Sequence, residues 1–196
     1  MFELPTSIKI NDKEFPIRKQ GDYRVILDCF EALDDPELDE QFRVYTSLII
    51  FYEDINTIED IVATFQEDVD KAVIEMFKFF NCGQDDSPGA TTNVKLINWS
   101  KDSQLIVSAI NNVAKKEIRA EPYLHWWTFM GYYLSVGDSP FSTIVGIRDK
   151  LKRGKKLEKY EQEFKRNNPQ YFNWDSRSVL DKQLEDDVRA LWNSGQ

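Results

Sequence analysis

The sequence predicts a mainly α protein, a multi-helix bundle with a short N-terminal β-hairpin. Three observations predict it. Apolar residues recur at the i, i+3, i+4, i+7 spacing in segment after segment from Tyr23 onward. Period-two alternation is confined to residues 6–18, and no repeat of fixed period marks a solenoid. Across 196 residues, 41% hydrophobic and 13% aromatic content is too apolar for a disordered chain and supplies a sizeable core.

The hairpin comes first, over residues 1–20. Ile8, Ile10, Phe15 and Ile17 flank a polar Asn11-Asp12-Lys13 turn, and Pro16 marks an edge strand. A lone hairpin is marginal in water, so it must lie on the helical body or on another chain. An N-terminal helical part follows over 21–83. Tyr23, Ile26, Leu27, Phe30 and Leu33 form one stripe, ended by Asp34-Asp35-Pro36, with Pro36 suited to the first turn of the next helix. There Leu38, Phe42, Tyr45, Ile49 and Tyr52 share a face, and Leu48, Ile50 and Phe51 make its second half apolar nearly all round, as expected of a central helix. Thr57 opens a capped segment, and Val69, Val73, Met76, Phe77 and Phe80 make a further stripe stopped by Asn81-Cys82-Gly83.

Residues 84–98 collect turn formers and read as a polar loop. A C-terminal helical part spans 99–196, the whole being one domain or two closely packed subdomains. Leu105, Ile106, Ala109, Ile110 and Val113 restart the helical period. Glu121-Pro122 opens the most aromatic stretch, 123–134, expected as a helix buried on most sides and stopped by Gly137. Ser139-Pro140 reads as an N-cap followed by proline, heading a stripe of Phe141, Ile144, Val145 and Leu151. Gly154 breaks it; Leu157, Tyr160 and Phe164 form a narrower stripe, and Leu180, Leu184, Val188 and Leu191 mark a terminal helix.

Chemistry is read mainly by exclusion. The start, Met1-Phe2-Glu3-Leu4-Pro5, has no basic region leading into an apolar one, and no apolar run approaches the about 20 residues that cross a bilayer, so a cytoplasmic protein is expected. Cys29 and Cys82 each sit at an apolar place in a helix-like pattern or at its end, and are expected as reduced, buried thiols. With one histidine, His125, and no CxxC pair, a zinc site is not expected, and no phosphate-cradling glycine motif, nucleophile elbow or calcium loop occurs. A Ser/His/acid triad would need His125, which lies between Tyr123-Leu124 and Trp126-Trp127 and reads instead as a packed or interface histidine. Adjacent acids such as Asp34-Asp35 and Asp85-Asp86 sit at turns and read as capping groups rather than as an acid/base or two-metal site. No catalytic, cofactor-binding or metal-binding residue is assigned.

Charge is uneven along the chain. Net charge is −9, but residues 31–70 hold 13 acids and one base, whereas residues 148–166 hold nine bases and four acids. Both stretches read as solvated helix faces; alternatively, acidic and basic surfaces of different copies or partners meet. Phosphate contacts by the basic stretch rank last, given the acidic excess elsewhere.

The run Leu124-His125-Trp126-Trp127-Thr128-Phe129, then Gly131-Tyr132-Tyr133, Phe141-Ser142-Thr143-Ile144-Val145-Gly146-Ile147-Arg148 and Lys155-Lys156-Leu157-Glu158-Lys159-Tyr160, resembles the bacteriophage gene-product-fifteen family of phages and prophages of Gram-positive bacteria. Ile26-Leu27-Asp28 with Phe30, and Phe77-Lys78-Phe79-Phe80-Asn81-Cys82-Gly83, resemble its N-terminal half. The resemblance implies a small helical protein of the tail-morphogenesis module, without catalytic residues or cofactor. It implies a tail-assembly chaperone that binds the tape-measure protein and the major tail protein in host cytoplasm and is absent from the mature virion. The alternative is a structural tail or connector component retained there. Neither nucleic acid nor membrane is an expected partner; a homo-oligomer is compatible with the charge pattern. Such a partner surface needs aromatic anchors and a charged rim. The expected anchors are Trp126, Trp127, Phe129, Tyr132 and Tyr133, and the expected rim is Arg148, Lys152, Arg153, Lys155 and Lys156.

Overall fold

Period-two sequence at the N-terminus gives β1 (Ser7–Ile10) and β2 (Lys13–Pro16), paired antiparallel with Ile8 opposite Phe15 and Ile10 opposite Lys13. Residues 3–84 and 96–172 are described in this computed structural model. The turn is tighter than expected, since Lys13 belongs to β2 and Asn11 (φ 54°) adopts the left-handed conformation that a two-residue loop demands. Ile8 and Ile10 are buried, and β1 lies on the helical body against α4 (Val69–Phe80). Asn11 is held there, its amide donating to Asp68 (2.9 Å) and its carbonyl oxygen accepting from Lys71 (3.1 Å).

The mainly helical expectation holds. The other helices are α1 (Tyr23–Leu33), α2 (Glu40–Phe51), α3 (Ile58–Phe65), α5 (Ser103–Ala114), α6 (Trp126–Leu134), α7 (Pro140–Lys152) and α8 (Lys159–Asn167). Most begin where a side chain satisfies an orphan backbone N–H. Asp22 accepts from Arg24, Asp39 from Phe42 and Ser139 from Ser142, while Thr57 and Asp60 form a reciprocal capping box. The stop at Asn81-Cys82-Gly83 is as expected, with Cys82 (φ 56°) and Gly83 (φ 80°) both left-handed.

α1 packs against α2 and α6, and α5 against α6 and α7. The core between them is strongly aromatic. Tyr23 stacks on Phe129 (centroids 4.7 Å apart), Phe129 stacks on Trp126 (5.4 Å), and Phe51 meets Phe79 and Phe80 edge-on. Both cysteines are free: Cys29 is buried and Cys82 half-buried.

Several expectations are corrected. Pro36 does not begin α2, because the Asp39 carboxylate caps the helix at Glu40 and leaves Pro36 in the connecting turn. The buried face of α2 is Ser47, Leu48 and Phe51, whereas Phe42 is exposed. Ser47 decides this rotation: its hydroxyl donates to the Cys29 carbonyl (3.2 Å), and Cys29 Sγ contacts the Ser47 carbonyl in return (3.7 Å), so the backbones approach closely. The aromatic helix starts only at Trp126, after extended residues that bridge His125 to Asp22, and it ends at Ser135 rather than Gly137. Ile147 and Arg148, not Leu151, complete the inner face of α7, and Tyr160 on α8 faces solvent. The terminal helix and residues 85–95 of the polar loop lie outside the described residues.

Candidate partner-binding site

The aromatic anchors divide into an inner and an outer set. Trp126 and Phe129 are 1% exposed, so their expected role as presented anchors is corrected: they fill the core beneath Tyr23, Phe30 and Trp99. Trp127, Tyr132 and Tyr133 are half-buried. The tandem tryptophans also close a helix end. The last carbonyls of α4 lack intrahelical partners, and Trp126 Nε1–H donates to the Phe80 carbonyl (2.9 Å) while Trp127 Nε1–H donates to the Phe79 carbonyl (3.0 Å). His125 is the packed histidine expected, 2% exposed. Its Nδ1 accepts the Trp127 N–H (3.0 Å) as the N-cap of α6, which leaves the proton on Nε2 to donate to the Pro5 carbonyl (3.0 Å).

Beside it lies a polar node that sequence reasoning did not single out. Asp22 is buried, accepts the Leu124 N–H (2.9 Å) and pairs with Arg24 (3.0 Å), whose other nitrogen donates to the Glu121 carbonyl (2.8 Å). Arg18 is a second omission. Its guanidinium donates to the carbonyls of Ile49, Ile50, Tyr52 and Ile55, at 2.9–3.1 Å, and so caps the C-terminus of α2 with positive charge. Asp22 carries a readable signal, an acid just before an apolar stripe; Arg18 carries none, because its acceptors lie more than thirty residues away.

The basic rim divides in the same way. Arg148 is a correction: it is buried and forms a bidentate pair with buried Asp102 (2.6 and 3.0 Å), and it also donates to the carbonyls of Leu96 and Tyr171. It ties α7 to the start of α5 and to the segment after α8, and is buried rather than presented on the surface. Lys152, Arg153, Lys155 and Lys156 are exposed, with Arg153 turned back onto Asp149 (2.7 Å).

Two surface features remain. The first is the outer side of α6, where residues 126–134 include no charged side chain, Leu134 is 76% exposed, and nothing lies within 4 Å of where a Gly131 side chain would stand. Trp127, Gly131 and Leu134 follow the i, i+4, i+7 spacing and share that side. The second is a groove of about 500 Å³ between the C-terminal half of α1 and the segment entering α5. Leu27, Phe30 and Trp99 give it an apolar floor; Asp28, Glu31 and Asp35 stand along it. Asp34 adds a fourth acid, and among the described residues Lys101 is the one base that lines it. Burial, and then the neighbouring Glu31 charge, raise the Asp28 carboxyl above its ordinary range.

Among the described residues, no group of three or more His, Cys, Asp or Glu side chains is placed to hold a metal ion, and no helix is long and apolar enough to cross a membrane. A mainly α protein with an N-terminal hairpin, an uncharged outer helix side and an acid-walled groove is the class that the geometry defines. The family model described as Bacteriophage Gp15 protein matches residues 1–172, and the chain belongs to that family. Membership points to a structural or tail-related phage protein. No curated protein and no solved structure is found to match it.

Proposed function

We propose that the chain is a non-enzymatic tail-assembly chaperone, acting in host cytoplasm on the tape-measure protein and the major tail protein and leaving before the virion is complete. Family membership supports the phage-tail setting. The observation that carries the reading further is the outer side of α6: an uncharged helix with Leu134 standing in solvent offers an apolar strip to a helical partner. Trp127 lies on that strip, with Tyr132 and Tyr133 half-buried on the same helix, and the exposed Lys152, Arg153, Lys155 and Lys156, at and just after the end of α7, are assigned as its polar rim.

Gly131→Glu is a clean probe. The position is helical and open, so a glutamate adds helix propensity of up to about 1 kcal/mol while placing a charge in the strip. The variant is expected to keep its circular dichroism and thermal midpoint yet lose about tenfold or more in co-purification with the tape-measure protein. Undiminished capture would remove α6 as the binding surface. Mass spectrometry of purified particles tests the departure: the protein's presence there at structural stoichiometry would favour a retained tail or connector component.

A further inference from the structure

We propose that the acid-walled groove between α1 and α5 is a self-association site that receives the basic turn between α7 and α8 of a second copy of this chain. The groove pairs an apolar floor (Leu27, Phe30, Trp99) with carboxylates Asp28, Glu31 and Asp35. The chain itself carries the complementary charge. Gly154 (φ 64°) turns the backbone sharply after α7, and Lys155, Lys156 and Lys159 follow on the surface beside Tyr160, which is 64% exposed. An exposed tyrosine flanked by lysines matches an aromatic floor flanked by carboxylates: the ring covers Phe30 and Trp99 while the ammonium groups meet the acids.

The contact is between chains rather than within one. Among the described residues, Lys101 is the one base lining the groove, and the chain's own basic turn does not fill it. Within the basic stretch, Arg148 pairs with Asp102, Lys150 with Glu161 (2.7 Å) and Arg153 with Asp149 (2.7 Å), whereas Lys155, Lys156 and Lys159 stand exposed together in and beside the turn. Burial, and then the Glu31 charge, raise the Asp28 carboxyl, and an incoming ammonium offsets the second of these. A segment that brings lysines is therefore favoured over residues 173–196, where five acids outnumber three bases.

The test uses the full-length chain alone, so its failure leaves the tape-measure reading standing, and the converse. Sedimentation at about 0.05 M salt is expected to show a mass above the monomer that collapses towards the monomer at about 0.5 M, where the screening length is only a few ångströms. K155E/K156E and, separately, D28K/E31K each weaken association about tenfold or more with unchanged circular dichroism, and an equimolar mixture of the two variants restores it. Zero-length carboxylate–amine crosslinking of mixed labelled and unlabelled chains is expected to join Glu31 to Lys156 across copies. A monomer at both salt concentrations, association indifferent to either charge reversal, or groove crosslinks confined to one chain or to residues 173–196 would each overturn the proposal.

Discussion

His125 shows how much a single residue type decides. A buried asparagine or serine could cap α6, but only imidazole accepts from the Trp127 N–H on one edge and donates to the Pro5 carbonyl on the opposite edge, some distance across the ring. Burial lowers its pKa, partly offset by the Pro5 bond and the Asp22 charge. The native state therefore requires the neutral ring, and the unfolded chain binds the extra proton first. Stability from this residue is complete above the ordinary imidazole value of about 6.5 and falls as pH drops below it. Asp28, whose pKa is raised, opposes this at lower pH, while the lowered carboxyls of Asp60, Asp68, Glu117 and Glu161 lose their contributions only below about pH 4. The expected outcome is that the decline in denaturation midpoint between about pH 6.5 and 5 disappears in His125→Asn, which keeps a capping acceptor without titrating there. Persistence of the same slope in that variant would assign it elsewhere.

At the level of elements, the entry to α1 carries the tightest constraint. Lys19, Gln20 and Gly21 have consecutive positive φ values of 47°, 55° and 78°, a left-handed turn that swings the chain from hairpin to helix. A Cβ on Gly21 would lie 2.8 Å from Phe79 Cζ and 3.1 Å from His125 Nε2, both in packed side chains. Gly21→Ala is thus expected to cost about 1–3 kcal/mol, combining left-handed strain with displacement of the ring that holds Pro5. Chemical denaturation measures it, and Gly137→Ala, with nothing within 4 Å, is the neutral control. The periods of α1, α4, α5 and α7, and the caps at Thr57 and Ser139, were legible because they are local patterns. The rotation of α2 was not: Phe42 and Ser47 differ in hydropathy in the wrong sense, and a small hydroxyl that lets two backbones approach outranks a larger ring. The tandem tryptophans were legible as a distinctive motif, but their work in closing α4 depends on carbonyls more than forty residues upstream.

For the whole molecule, the Arg148–Asp102 pair ties α7 and, through the Tyr171 carbonyl, the segment after α8 to the start of α5. Asp102→Asn removes the counter-charge of a buried guanidinium, and such a break costs about 3–5 kcal/mol. Hydrogen exchange is expected to show α7 and α8 losing protection before α1, α4 and α6; uniform loss would mean that the pair supports the entire core instead. Local pattern sufficed for the helical class, the hairpin and the family, because hydrophobic period, turn chemistry and short motifs are written in consecutive residues. Only the tertiary structure decided which aromatic and basic residues face outward. Trp126, Phe129 and Arg148 were drawn inward by partners far away in the chain, while Leu134 and the Lys155–Tyr160 turn were left outside. Burial is settled by the competition of all faces for one core, and no stretch of sequence contains that competition by itself.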